Sequence, residues 1–198
     1  MRRAIDFAGA CLLLLLMGPL LVLGAALVLL ASGRPVFFGH LRVGRNGSPF
    51  RCWKLRTMRP DAQAVLDRDP ALRNRYIRNG FKLPQQEDPR VTPIGRFLRR
   101  WHLDELPQLV NVLNGTMSLV GPRPVVPEEL AHYGAGAAEL LAARPGIVGA
   151  WTSHGRLRPG YPERVRIELE YVRNATPVRD LVILARSIPV VLRGQGDA

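Results

Sequence analysis

Asp104 and Glu105 stand side by side in a stretch that is otherwise basic and apolar, between Arg99-Arg100 and Leu106-Pro107-Gln108-Leu109. Two readings of the pair share one geometry. In the first, Asp104 is the N-cap of a helix, Glu105 a first-turn anion and Pro107 an early-turn proline. In the second, the N–H groups and positive dipole at that helix start favour phosphate and keep Asp104 ionised. A carboxylate held there can attack phosphorus and form an acyl-phosphate. Arg123, fixed between Pro122 and Pro124, has a planar fork suited to two phosphate oxygens, or to an ion pair with a nearby acid. Lys54, Arg56, Arg99, Arg100 and Arg156 pose the same choice between phosphate ligands and solvated faces. Trp53, Trp101 and Trp151 suit stacking on a base, a membrane interface or core packing.

Other chemistries lack their residues. Two cysteines, Cys11 and Cys52, exclude a disulfide framework, a CxxC redox pair and a cysteine zinc site. The histidines, at 40, 102, 132 and 154, show no metal-binding spacing. The 198 residues carry 28 Lys+Arg against 16 Asp+Glu, a formal charge of +12, which raises nucleic-acid binding. An apolar segment explains that charge better, through anionic lipid and a diphosphate substrate, so no nucleic-acid partner is expected.

Positioning these groups needs a scaffold at a membrane. From Phe7 to Gly33 no residue is charged, and as one helix the segment would span roughly 40 Å, enough for a bilayer core of about 30 Å. Pro19, after Gly18, removes an N–H and crowds Leu15, so a break is expected there. Arg2 and Arg3 precede the segment, and Arg34, Arg42, Arg45, Arg51, Lys54 and Arg56 follow it. A straight span would carry one basic flank across the membrane; a re-entrant helix-break-helix keeps both flanks on the cytoplasmic side. A single-pass anchor and a cleaved signal peptide are the alternatives. Amphipathic interfacial helices are expected beside the anchor, and an amphipathic continuation over residues 34–56, whose mix of basic and aromatic side chains suits an anionic headgroup region.

The remainder reads as α/β, mainly helical with a small sheet. Gly44–Gly47 turns a hairpin between residues 36–38 and 50–53. Helical patterns cover 61–79 with a break near Pro70, then 94–101, 103–113, 128–143, 163–174 and 177–193. Met117–Val120 is a short apolar run before the stiff loop Gly121-Pro122-Arg123-Pro124. The division expected is a membrane anchor over 1–33 and a membrane-associated catalytic domain over 34–198.

Assembled, these segments resemble the bacterial sugar transferases of the monotopic phosphoglycosyl transferase type. The resemblance covers nearly the whole chain and is densest from Asp88-Pro89-Arg90-Val91-Thr92 through Gly95-Arg96-Phe97-Leu98-Arg99-Arg100. It continues in Leu103-Asp104-Glu105-Leu106-Pro107-Gln108-Leu109, Met117-Ser118-Leu119-Val120-Gly121-Pro122-Arg123-Pro124, Lys54-Leu55-Arg56-Thr57-Met58, Arg144-Pro145-Gly146-Ile147 and Gly155-Arg156. It implies an enzyme that moves a sugar 1-phosphate from a UDP-sugar to polyprenyl (undecaprenyl) phosphate through an aspartyl-phosphosugar, initiating surface polysaccharide or glycoconjugate synthesis. Asp104 then matches the nucleophile, Glu105 its partner, and Mg2+ is expected near Asp104. Arg99, Arg123 and Arg156 match basic positions at the phosphate site, and Gly18-Pro19 the break of a re-entrant anchor. The implied location is the cytoplasmic face of a bacterial inner membrane, and the length matches a bare catalytic core. The rival class is a non-catalytic basic adaptor anchored to the membrane. This sequence departs from the family pattern with Gly18 for a serine, Trp101-His102 for Thr-Ser, Val148 for a threonine, Thr152-Ser153-His154 for Gln-Val-Ser, and Glu168 for an aspartate. These changes are expected beside the active site, so donor identity is less defined than reaction class.

Overall fold

The computed structural model describes residues 2–79, 83–151 and 160–193. Its longest element is α1, Arg2–Ser32, apolar on all sides but packed along one stripe only. Ala10 and Val28 are buried on that stripe, with Leu14, Leu21 and Ala25 partly buried between them, while Leu15, Val22 and Leu30 are exposed. This is the i, i+3, i+4 spacing of one helix face. A side packed on protein and an apolar side left bare is the pattern of a helix that contacts lipid. The expected division at Gly18-Pro19 is not seen, because α1 runs as one helix with Pro19 inside it. Loss of a single N–H costs one hydrogen bond, which the stripe's packing offsets.

Both ends of α1 are tied to the same domain. At the start, Arg2 pairs with Asp180 at 2.6 Å, Arg3 donates to the carbonyls of Val112 and Leu113, and buried Asp6 accepts from Ser118 Oγ at 2.8 Å and Leu119 N at 2.9 Å. At the end, Arg56 Nη2 donates to the carbonyls of Ser32 and Gly33 at 2.6 and 2.8 Å. That guanidinium satisfies carbonyls left without intrahelical donors and complements the negative helix terminus.

The hairpin forms where its turn predicts it: β1 (Phe37–Val43) pairs antiparallel with β2 (Pro49–Leu55) around a 3-10 turn at Arg45–Gly47. Next come α2 (Ala62–Arg68) and α3 (Pro70–Arg78), separated at Asp69, whose side chain caps α3. α4 (Pro93–Arg100) is capped by Thr92. Gly95 lets α4 close against the chain leaving β2, since a Cβ there would lie 2.0 Å from the Thr57 carbonyl oxygen. The Asp88-Pro89-Arg90 motif is structural here: Asp88 and Arg90 form a buried pair at 2.8 Å, and Arg90 lies 4.7 Å over the Tyr76 ring.

Two helical expectations divide. The run 103–113 is a 3-10 turn at Leu103–Glu105 followed by α5 (Gln108–Leu113), because Pro107 starts a new helix rather than continuing one. Asp104 is thus inside a tight turn and is not an N-cap. The run 128–143 is a 3-10 stretch, Pro127–Gly136, followed by α6 (Ala137–Ala142), with Gly134 at φ +50° leaving helical space. The short run before the stiff loop becomes β3 (Ser118–Val120), paired in parallel with β4 (Gly146–Val148). α7 (Glu163–Arg173) and α8 (Pro177–Leu192) complete the order, and α8 bares Val178, Leu181 and Ile188. The class is therefore mainly helical with little sheet, in two two-stranded pieces among the described residues.

Candidate active site

Three short connections converge on one cavity of about 330 Å3. The first is β2, which presents Lys54. Its position is fixed by Asn111 of α5, buried at 2% exposure, whose amide accepts from Trp53 N at 3.0 Å and donates to the Arg51 carbonyl at 2.8 Å. The amide stands in for a neighbouring strand and pairs groups that burial would otherwise leave unsatisfied.

The second connection is the 3-10 turn. His102 takes a left-handed conformation, φ +55°, which swings the chain from α4 into Leu103–Glu105. Lys54 Nζ donates to Glu105 Oε1 at 2.6 Å and lies 4.0 Å from Asp104 Oδ2. Burial pushes both carboxyls up, but with opposite results. Lys54, with help from His102 and Arg123, outweighs burial at Glu105 and holds it below the usual range. At Asp104 burial prevails and the carboxyl rises, against the pull of Lys54, Arg99 and His102. Glu105 and His102 front the cavity, whereas Asp104 is 5% exposed and is not part of its wall.

The third is the loop after β3. Gly121 and Gly146 touch through their backbones, with a Cβ on Gly121 falling 2.3 Å from the Arg144 carbonyl oxygen, so the loop crosses tightly toward the cavity. Arg123 donates its backbone N–H to Glu168 Oε1 at 3.1 Å, and its guanidinium lies 5.3 Å from the Trp151 ring. Glu168, 1% exposed, also accepts from Tyr133 and from Arg164 Nε at 3.3 Å. One carboxylate therefore fixes the loop to α7.

Of the residues singled out by sequence, Lys54, Glu105 and Arg123 share the cavity wall, with Asp104 against Lys54. Arg99 stays beside them; its Nε donates to Thr57 Oγ1 at 2.8 Å and its charge acts on Asp104. Arg56 stands apart, spent on the end of α1. Arg156 and Thr152-Ser153-His154 lie outside the described residues. Sequence reasoning missed Arg42, which fronts the cavity and donates to the Pro124 carbonyl at 3.3 Å. The signal was available: two-residue alternation along a hairpin of fixed register puts Arg42 on the face of Lys54. The rest of the wall is mostly apolar and includes Leu13 and Met17 of α1, Ile147 of β4, and Leu184 and Val190 of α8.

Among the described residues no three His, Cys, Asp or Glu gather as a metal cage. Mg2+ asks for less, one or two carboxylates plus substrate phosphate and water. Asp104, buried and accepting no hydrogen bond among the described residues, fits that demand together with its neighbour Glu105.

The family model described as bacterial sugar transferase matches residues 1–194. The exopolysaccharide production protein ExoY of Rhizobium meliloti is 43% identical over 197 residues, covering 99% of this chain and 87% of that protein. The undecaprenyl-phosphate galactose phosphotransferase of Salmonella typhimurium is 42% identical over 200 residues, 99% of this chain and 41% of that protein. The UDP-glucose:undecaprenyl-phosphate glucose-1-phosphate transferase of Caulobacter vibrioides is 38% identical over 202 residues, covering 96% and 69%.

Proposed function

The chain belongs to the bacterial sugar transferase family, and from that premise we propose that it moves a sugar 1-phosphate from a UDP-sugar to polyprenyl phosphate. The observation that carries this reading is the cavity itself. Lys54, Arg42 and Arg123 bring cations to its wall next to the Asp104-Glu105 turn, while α1 and α8 supply an apolar wall suited to an isoprenoid. An anionic head and an apolar tail are thus accommodated together.

In the first step a carboxylate oxygen of Asp104 attacks the sugar-bearing phosphorus of the donor. The bond from that phosphorus to the bridging oxygen breaks, and UMP leaves with the electron pair. In the second, an oxygen of polyprenyl phosphate attacks the same phosphorus and the Asp104 carboxylate leaves, giving a polyprenyl diphosphate sugar. The chain's cations stabilise the charge that builds on the transferring oxygens. Mg2+, held by Asp104 and Glu105, would neutralise charge on the diphosphate when bound. Lys54 exchanges its bond to Glu105 for donor phosphate, which opens the approach to Asp104 and leaves Glu105 to orient Mg2+ or the acceptor.

α1 serves as an anchor over 1–33 that is re-entrant in the sense that both its ends stay on one face, without the break expected at Gly18-Pro19, and the catalytic domain over 34–198 lies on the cytoplasmic face of a bacterial inner membrane. Attachment of both its ends to one domain supports same-side topology, and the bare apolar sides supply the lipid contact. The product suits the initiating step of an exopolysaccharide or related glycoconjugate.

The test is release of UMP from a panel of UDP-sugars by the purified chain in nanodiscs, with and without polyprenyl phosphate. A stoichiometric burst without acceptor and turnover with it, both abolished in Asp104→Asn, are expected. Absence of UMP from every donor would leave the membrane-anchored adaptor as the better reading.

A further inference from the structure

One face of the β1–β2 hairpin forms a cavity wall. Lys54 and Cys52 of β2 and Arg42 of β1 front the cavity. The register pairs Phe38 with Lys54, His40 with Cys52 and Arg42 with Phe50. Paired residues share a face and successive residues alternate, so Phe38 and His40 lie on the cavity face although neither fronts the cavity. β1 pairs only with β2 in this sheet, and its two rings continue that face beside Lys54 and Cys52. Phe38 is 51% exposed, and the His40 ring meets it edge-on at 6.0 Å. His40 Nδ1 lies 2.9 Å from the Leu41 carbonyl, which only accepts, so this nitrogen carries the proton. Nε2 of the neutral ring is then an acceptor, and it has no partner among the described residues. Burial, followed by the charge of Arg42, lowers the His40 pKa and favours that neutral ring.

We propose that this shelf is the donor's nucleobase subsite: a uracil stacks on Phe38 and donates its N3–H to His40 Nε2, while the diphosphate follows Lys54, Arg42 and Arg123 into the cavity. The proposal rests on the reading of the donor as a UDP-sugar. Cytosine has no N3–H, so the same contact discriminates between pyrimidines. A bare aromatic also suits a lipid surface, but Phe37, 46% exposed, lies on the opposite face of the same strand. A strand end laid on lipid would use both rings, whereas a base beside the cation row uses Phe38 alone.

The test is steady-state kinetics of the full chain in nanodiscs. Phe38→Ala should raise the donor KM roughly 5- to 150-fold, the loss that stacking of one base carries, with the acceptor KM unchanged. Phe38→Trp should retain the wild-type donor KM, and Phe37→Ala should leave it unmoved. Inhibition by UMP should weaken in Phe38→Ala by the same factor, and inhibition by inorganic pyrophosphate should not. His40→Ala should narrow the preference for UMP over CMP as inhibitor. Unchanged donor KM and UMP inhibition in Phe38→Ala would overturn the subsite. So would equal losses in Phe37→Ala and Phe38→Ala together with weakened binding to phosphatidylglycerol vesicles, which would assign the strand to lipid. Absence of UMP release by the unsubstituted chain from every UDP-sugar is a different failure; it removes the donor reading, and the subsite with it.

Discussion

Lys54 Nζ donates to Glu105 Oε1 at 2.6 Å while standing 4.0 Å from Asp104 Oδ2. A single ammonium therefore faces two adjacent carboxylates and binds one of them tightly. Glu105 stays ionised, and the cost of burying charge falls on Asp104. A carboxylate that is dehydrated and weakly partnered is a better nucleophile than one held in a short ion pair. In the proposed reaction this contrast suits Asp104 to the covalent role and Glu105 to the supporting one.

Lys54→Met removes that cation from both acids. Donor-dependent UMP release should fall by at least about tenfold, the scale of losing a charge-assisted hydrogen bond. Lys54→Arg should recover part of it, since charge returns with a different shape. Wild-type rates in Lys54→Met would remove this residue from the phosphate path.

Asp104→Asn keeps the side-chain size and discards a buried charge. Turnover should drop by at least about a hundredfold as the covalent route closes. The thermal midpoint should hold or rise, because burial disfavours the ionised form that the substitution eliminates. Scanning calorimetry alongside UMP release checks both; lost turnover with a falling midpoint would indicate a structural Asp104.

The same two groups set opposite pH trends. Asp104 has a folded pKa above its unfolded value of about 3.9, so its contribution to stability declines as pH rises from there through the folded value. Glu105 has a folded pKa below about 4.3; its stabilisation is present above that pH and lost as pH falls through the folded value. The attack on phosphorus needs ionised Asp104, so single-turnover UMP release should show an acid limb above the ordinary carboxylate range. A limb at or below pH of about 4 would contradict a buried nucleophile.

Glu168→Gln leaves the Arg164 guanidinium without its buried countercharge and weakens the bond that fixes the Arg123 loop. Breaking such a pair costs about 3 kcal/mol of stability. Donor kcat/KM should fall roughly tenfold through misplacement of Arg123. In an Arg123→Lys background the further kinetic loss should be small while the stability loss persists. Additive kinetic losses would separate Glu168 from Arg123.

Local chemistry made part of this architecture legible. Gly44–Gly47 identified the hairpin because its turn needs glycine, and the helical pattern over 94–101 identified α4, though its cap Thr92 and first residue Pro93 went unread. The dyad was placed on the wrong element: Leu103 to Leu113 has helical spacing, and only Pro107 divides it into a turn and a helix. β4 was unreadable, since three residues give too little alternation and their partner β3 is distant in sequence. Arg56 illustrates the opposite error. A cation beside Lys54 in sequence projects from the hairpin's end to the C-terminus of α1, a pairing that depends on tertiary packing alone.

The contacts at the two ends of α1 favour the proposed same-side topology. Arg2 and Arg3 hold one end to Asp180 and to the last carbonyls of α5, and Arg56 holds the other. A helix crossing the bilayer would separate these anchors by about 30 Å of hydrocarbon, breaking one set entirely. It would also move one basic flank away from the anionic leaflet, at about 1 kcal/mol per cation near the surface. Against this stands the backbone of α1 within lipid, where the Leu15 carbonyl opposite Pro19 lacks its usual donor at a cost of several kcal/mol if dry. Leu15 lies on the exposed side of α1, so that carbonyl is satisfied only if water or headgroups reach it, which a helix lying in the interface allows. Cysteines placed at Arg2 and Arg45, after Cys11→Ala and Cys52→Ala, should therefore react from the same, cytoplasmic side in membrane vesicles of known orientation. Labelling from opposite sides would replace the re-entrant anchor by a single span and require the contacts of Arg2, Arg3 and Asp6 to be absent in the membrane.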